Sequence, residues 1–487
     1  MKAQIKFQSD LIPLKAQATR MRDLFIGVKR LREKKEVYLP MTTGEMRAVN
    51  SDFYKSANMA GKDPYSIRVK TSALKDFYAK TIRFILGQLY KRAPVLRNVT
   101  DLKQEVADYY TEFENDVNRR GDNLRVFCSD VTKAALIDGV TFVMIDSPRF
   151  TRANGKIVYN DTEYPDNMET QKSLNLYPYL THIELSRVIA IRTSDMSVEH
   201  PIEFFSFYEI NGDGEHEEVR VYEYTPVSIT IRKFVDGNEL EGEKTVVLNT
   251  YGFVPVYVLG IGEREKDYIY NSPMNDLGEQ NLSYYEKSSH HNTLMMWQRN
   301  PTWFAKNIDI NENQTIGVSM IITTTAENAD LKNVGVDATS AQQSLADLKQ
   351  IEDWCVAYYQ SIANGASMTA TQAEGIVGAA ISPLTEYAST VEDFMNMVMW
   401  DYNVLCFGYD TEESKVAPEY TVNQDFLTPF SLEKANFLKE LAMDGQISSA
   451  QFLKEMKRMS LFGDDFDIDA ELKLQQTATP QGDGVVE

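Results

Sequence analysis

The chain has 487 residues, 43% hydrophobic and 11% aromatic, with 71 Asp and Glu against 50 Lys and Arg for a formal charge of −21. That much apolar side chain fills several subdomain cores and excludes a disordered chain. The negative balance argues against a tight, sequence-independent grip on nucleic acid, which needs Lys and Arg to neutralise phosphates and release counterions.

In chain order, the N-terminal part reads as mixed α and β. Helical periodicity runs over 14–33 and again over 65–91, where Ile67, Leu74, Phe77, Ile82, Leu86 and Leu89 form an apolar stripe that stops at Pro94. Two more helices are expected over 102–119 and 124–138, after which Gly139 breaks the pattern and 140–145 reads as a buried strand. From 178 to 258 the period changes to two. Segments 179–183, 187–191, 203–210, 217–224, 227–235 and 244–249 are β-branched or aromatic, with turns at 211–214 and 236–238, and read as one antiparallel meander. The fold class expected is therefore α+β.

Ser272-Pro273 reads as an N-cap and N1 proline opening a helix over 272–300, in which Leu277, Leu282, Tyr285, Met295 and Trp297 are scattered among polar residues. These are too few aliphatics to hold a core alone, so the helix needs neighbours. Asn300-Pro301 stops it, and 303–306, 318–325 and 333–336 read as short strands. Such a tip buries little by itself; it either completes a sheet with neighbouring chains or folds back as a hairpin on its parent domain. A returning helix over 340–363 places Leu348, Ile351, Cys355, Tyr358, Tyr359 and Ile362 at helical spacing, giving a stalk with a tip.

The loop Asn364-Gly-Ala-Ser-Met-Thr-Ala370 has a C′ glycine and hydroxyls able to cap a third helix. That helix, 371–408, spans on the order of 55 Å and is expected to kink at Pro383. Ser431 and Ser448 or Ser449 open two C-terminal helices that form a hairpin, and 477–487, with Pro480, Gly482 and Gly484, reads as a flexible tail.

Reactive groups are sparse. Cys128, Cys355 and Cys406 are far apart among apolar or aromatic neighbours, which fits core thiols and not a disulfide frame or zinc site. His290 and His291 are adjacent, about 100° apart on a helix, and cannot chelate as an i, i+4 pair does. The carboxylates of 464–471 lack the glycine and twelve-residue frame of a calcium loop, and Gly375-Ile-Val-Gly378 lacks a following Gly-Lys-Ser/Thr. With no Gly-x-Ser-x-Gly or His-Glu-x-x-His pattern, neither an enzyme nor a cofactor is expected. The start MKAQIKFQSDLIPLK lacks the apolar centre of a secretory signal and no run of eighteen apolar residues occurs, so a soluble intracellular protein with no membrane partner is expected.

Taken in order, these segments resemble the portal proteins of tailed bacteriophages, in particular a group known only as an uncharacterised phage domain. The likeness rests on Arg22-Asp-Leu-Phe-Ile-Gly27 with Tyr38-Leu-Pro40 and Glu45, on 78–94, and on the helix, Asp-Gly and strand of 127–146 ending at Pro148. It continues through Tyr284-Tyr-Glu-Lys-Ser-Ser289, Asn300-Pro301, Thr369-Ala-Thr-Gln-Ala-Glu374 and Gly445-Gln-Ile-Ser448 to the acidic 464–471. No single motif is specific; order and spacing carry the resemblance, which covers most of the chain.

The resemblance implies a ring, usually of twelve subunits, at one capsid vertex, with double-stranded DNA passing through it in the virion and assembly taking place in the host cytoplasm. It implies a wing over 1–271, stem helices over 272–300 and 340–363, a clip over 301–339, a tunnel loop over 364–370, a long helix over 371–408 kinked at Pro383, and a wing strand, crown and tail over 409–487. Asn364, Gly365, Ala366, Ser367, Met368 and Thr369 then face DNA, Lys287, Arg299 and Lys349 are stem cations, and Trp303, Phe304, Lys306, Ile321 and Val334 mark the clip. The implied partners are the terminase large subunit, a head-to-tail adaptor, and the major capsid and scaffolding proteins. Another phage structural protein, an adaptor or minor capsid protein, is the nearest alternative, although adaptors are usually shorter and lack this succession; an enzyme is more distant.

Overall fold

The computed structural model describes residues 6–55, 61–99, 104–147, 151–153, 156–159, 162–163, 177–194, 200–211, 218–235, 238–240, 244–249, 251–299, 302–306, 328–334, 338–363, 370–407, 417–422, 432–443 and 447–458. The chain is α+β and divides into two compact units, one made of Met1–Ala18, Ile82–Pro273 and Tyr359–Glu487, the other of Thr19–Thr81 and Met274–Tyr358. The sequence reading keeps 19–81 with the following two hundred residues, whereas the packing joins it to 274–358.

In the first unit, the helix Leu124–Asp138 starts where Asn123 accepts the Val126 N–H at 2.9 Å and ends at Gly139, φ 82°. A side chain at Gly139 is excluded twice over, by the left-handed backbone and by the Tyr270 carbonyl 2.3 Å from where a Cβ would sit. The chain thus turns at once into Val140–Asp146, buried on both faces through Ile145, which explains its unalternating apolar run.

This strand is the centre of an antiparallel sheet, between Val256–Gly260 and Tyr179–Glu184. Here the expected six-strand meander needs correction. Residues 179–184 leave it to pair with 140–146, because an alternating strand carries no label for its partner. The remaining meander forms a six-stranded sheet in the order Asn238–Glu239, Ser228–Val235, Glu218–Tyr224, Ile202–Asn211, Val188–Thr193, with Thr245–Leu248 also on Ser228–Val235. Phe142, Met144, Phe205, Phe207, Tyr222 and Leu11 share its core. Gln8 covers the Val188–Thr193 edge, its N–H donating to the Ile189 carbonyl at 3.0 Å while its Oε1 accepts the Ile191 N–H at 2.9 Å.

The helix Ala370–Phe407 stays helical through Pro383. Its later turns bury Val391, Phe394, Met395 and Val398. Asn396 holds the strand Glu419–Thr421 by accepting the Tyr420 N–H at 2.7 Å and donating to its carbonyl at 3.1 Å, and that strand pairs with Val95–Arg97. Tyr110 donates to Asn403 Oδ1 at 2.7 Å and so ties the helix Gln104–Asn115 to the same strut. The helices Leu432–Met443 and Ser449–Arg458 come next, the second capped by Ser448, whose Oγ accepts the Gln451 N–H at 3.1 Å. Ser431, the tail 477–487 and the acidic 464–471 lie outside the described residues.

Two long helical readings break. The first divides into Leu11–Ile26 and Val28–Glu33 at Gly27, φ 102°. The second divides into Pro64–Thr71 and Tyr78–Leu89. The strand pair Thr302–Lys306 and Asp330–Val334 is antiparallel. The strand read over 318–325 lies outside the described residues.

Candidate functional site

The helix Asn275–Arg299 is poor in aliphatics, and its neighbours are found inside its own unit. Asn281, Tyr285 and Ser289, four residues apart and at most 1% exposed, form a buried polar stripe. Each anchors a different turn. Asn281 Oδ1 accepts the N–H groups of Phe77 and Tyr78 at 3.1 and 3.0 Å, and its Nδ2 donates to the Lys75 carbonyl at 2.8 Å. This capture ends the continuous 65–91 helix of the sequence reading: it supplies side-chain partners for N–H groups that a helix start leaves unpaired. Tyr285 Oη and Ser72 Oγ are 2.8 Å apart.

Ser289 Oγ accepts from Arg68 Nη1 at 3.2 Å. The same guanidinium donates Nε to Glu45 Oε1 at 2.7 Å, and Nη2 to Glu45 Oε2 at 2.9 Å and to the Pro40 carbonyl at 2.7 Å. Glu45 also closes a capping box with Thr42. Burial opposes the Glu45 charge, but Arg68 and the Thr42 N–H outweigh it and hold the carboxyl below the usual range. Gly278 lets Met21 approach, since a Cβ there would lie 2.2 Å from its Sδ.

The two histidines diverge. Burial, and then the nearby Arg68 charge, lowers the His290 pKa, while His291 Nδ1 lies 3.1 Å from Ser344 Oγ on the helix Ala338–Ala363. Among the described residues no group of three or more His, Cys, Asp or Glu is placed to hold a metal ion, and no helix is long and apolar enough to cross a membrane.

Between these two helices and 73–75 lies a groove of about 680 Å³, lined by Tyr284, Ser288, His291, Leu348, Lys349 and Glu352 among others. Lys75 forms an ion pair with Glu352 across it. The pair is half exposed, so screening limits its worth to under about 1 kcal/mol. Of the predicted stem cations, Lys349 lines the groove, while Lys287 and Arg299 are exposed elsewhere on their helix. Arg299, in the last turn, suits the negative end of the helix dipole.

At the tip, Trp303 stands opposite Asn333, Phe304 opposite Lys332, Lys306 opposite Asp330 and Val334 opposite Thr302, so four of the five predicted clip residues share one ladder. Ile321 and the predicted loop residues Asn364, Gly365, Ala366, Ser367, Met368 and Thr369 lie outside the described residues. Sequence reasoning gave Glu45 only as part of the resemblance and missed Arg68 and Asn281. The Thr42-x-x-Glu45 spacing signals the cap, but nothing in it points to residue 289.

A family model described as "Domain of unknown function (DUF4055)" matches residues 273–400, the span holding the helices Asn275–Arg299 and Ala338–Ala363, the strand pair and most of the helix Ala370–Phe407. No curated protein matches the chain. Among solved structures it is similar to a chain of the "Virion of native gene transfer agent (GTA) particle", at 10% identity over 76% of this chain and 87% of that one, TM-score 0.39. It is also similar to a chain of the "Neck of empty GTA particle computed with C6 symmetry", at 11% identity over 78% and 88%, TM-score 0.40.

Proposed function

We propose that this chain is a portal protein, one subunit of a ring at a capsid vertex through which double-stranded DNA is packaged and ejected. The observation that carries the reading is the order of elements among the described residues: Asn275–Arg299, an antiparallel strand pair, Ala338–Ala363, and the helix Ala370–Phe407 with Pro383 inside it. The two helices pair through His291 and Ser344 and carry the strand pair beyond them, which is what a stem with a clip requires.

In this reading 1–271 is the wing, 272–300 and 340–363 the stem, 301–339 the clip, 364–370 the tunnel loop, 371–408 the kinked strut and 409–487 a wing strand, crown and tail. The clip receives the terminase large subunit and later a head-to-tail adaptor, and the ring, of twelve subunits, meets the capsid and scaffolding proteins. Residues 364–369 contain no Lys or Arg, so they touch DNA by shape and weak polar contacts. A charge of −21 supports passage without trapping.

Electron micrographs of the purified protein test the reading. Rings with a central hole are expected; compact monomers at micromolar concentration overturn it, and turnover of a substrate points to an enzyme.

A further inference from the structure

The three-stranded and six-stranded sheets of the first unit share one core, and a cleft of about 540 Å³ opens between them. Strand register stacks its lining in rows. On one wall Met144 stands opposite Thr181 and Asp146 opposite Tyr179. On the other, Phe207, Tyr222, Ile231 and Thr245 form one cross-strand row, and Glu209, Arg220 and Lys233 form the next, two residues further along each strand and therefore on the same face. The result is an apolar floor of Met144, Phe207 and Ile231 below a charged rim.

Most of the rim is already satisfied. Asp146 Oδ2 accepts from Tyr179 Oη at 3.1 Å. Arg220 stands opposite Glu209 in the ladder, yet its Nε turns to Glu218 at 2.6 Å, and Lys233 Nζ meets the same carboxylate at 3.2 Å. Glu209 is thus passed over. Among the described residues its carboxylate has no hydrogen-bond or ion-pair partner, and neither has the Arg120 guanidinium, nor the hydroxyls of Thr181 and Thr245. Arg119, next in the chain to Arg120, lies over the Tyr179 ring at 4.8 Å, which sets Arg120 on the three-stranded wall, across the cleft from Glu209.

A ligand of one sign satisfies only one of these two charges. An extended peptide places side chains i, i+2 and i+4 on one face, so an acidic and a basic residue can flank an apolar one that reaches the floor. The two hydroxyls both donate and accept, as peptide amide groups require, and the volume lies within the range of about 300–1,000 Å³ typical of ligand sites. We propose that this cleft binds a short extended segment of a partner protein, its acidic side chain on Arg120, its basic side chain on Glu209 and its apolar side chain between Phe207 and Ile231. The site is complete within one subunit and does not depend on the ring reading.

Fluorescence anisotropy with the purified full-length protein tests it, using fluorescein-labelled, C-terminally amidated Gly-Asp-Ser-Leu-Ser-Lys-Gly and its counterparts carrying two Asp or two Lys. Wild type is expected to prefer the mixed-charge peptide by about tenfold over either counterpart, because like charges brought together are penalised. Glu209→Lys leaves two cations and is expected to move the preference to the two-Asp peptide. Arg120→Glu leaves two anions and is expected to move it to the two-Lys peptide. Both changes lie at the rim, and a far-UV circular dichroism spectrum matching wild type shows that each variant is folded. No binding of the mixed-charge peptide by wild type at about 1 mM overturns the proposal. So does a preference that neither substitution moves, or an affinity that stays the same when the peptide's Leu is replaced by Ser.

Discussion

Arg68 and Glu45 meet as a bidentate pair, 2.7 and 2.9 Å, with side chains only 1% and 9% exposed. Ser289 and the Pro40 carbonyl take further guanidinium donors, so three separate stretches of sequence meet at one side chain. Removing one partner leaves a buried charge alone. Arg68→Met is therefore expected to cost about 3–5 kcal/mol, while Arg68→Met with Glu45→Met is expected to recover most of the loss. Urea unfolding followed by circular dichroism measures both; equal losses in the single and double variants would refute the account.

The same pair predicts an acid response. The folded Glu45 pKa is lowered, so its stabilisation is complete above the unfolded carboxylate value of about 4.3 and is lost as pH falls through the depressed folded value. Between pH 5 and 3 the wild-type melting temperature is expected to drop more steeply than that of Glu45→Gln, which has no carboxyl to protonate. Parallel curves would count against it.

Asn281→Ala removes one acceptor and one donor that serve three backbone groups, all inside the unit. Unmet buried groups cost about 1–3 kcal/mol each, with partial relaxation, so a loss of about 3 kcal/mol is expected. Asn281→Asp keeps the acceptor for Phe77 and Tyr78 but loses the donor to Lys75, and is expected to rank with or below alanine because it also buries a charge. Chemical denaturation of the three proteins side by side settles the ranking.

Lys15 gives a response at the other end of the scale. Its Nζ lies 3.7 Å from the Phe7 ring centre and donates to the carbonyls of Ser186, at 3.1 Å, and Val188, and burial pushes its pKa down to about 8. An unfolded lysine titrates near 10.4, so between about pH 8 and 10.4 the unfolded chain holds the extra proton and stability rises with pH. Subtracting the curve of Lys15→Met from that of wild type is expected to leave this rise alone. A flat difference, or a fall, rejects it.

Burial drives all three thiols up, Cys128 and Cys406 to about 12 and Cys355 to about 11, so almost no thiolate is present at neutral pH. Ellman's reagent at pH 7.5 is expected to find close to no reactive thiol in the native protein and three after denaturation. Rapid native modification of even one would contradict the packing.

The sequence made several elements legible because their signals are local. The helix read over 124–138, the break at Gly139 and the buried run 140–145 lie within about 25 residues, and each stands where the pattern places it. The helices Asn275–Arg299, Ala338–Ala363 and Ala370–Phe407 are equally readable, since apolar spacing and Asn300-Pro301 need no distant partner. Pairing was not readable. The alternation of 179–184 is the same whether it joins the meander or Val140–Asp146.

What the amino-acid order determined by itself is the inventory and succession of elements, the scarcity of catalytic groupings among its motifs, and a charge of −21 that disfavours a firm hold on DNA. What only the tertiary structure decided is which distant residues satisfy one another: that Asn281 caps the start of a helix at 77–78, and that Arg68 spends its donors on Glu45, Pro40 and Ser289. The reason is physical. Hydrophobic period and capping act within a few residues, whereas a buried polar group must be met by whatever the fold brings within about 3 Å, and sequence separation places no limit on that.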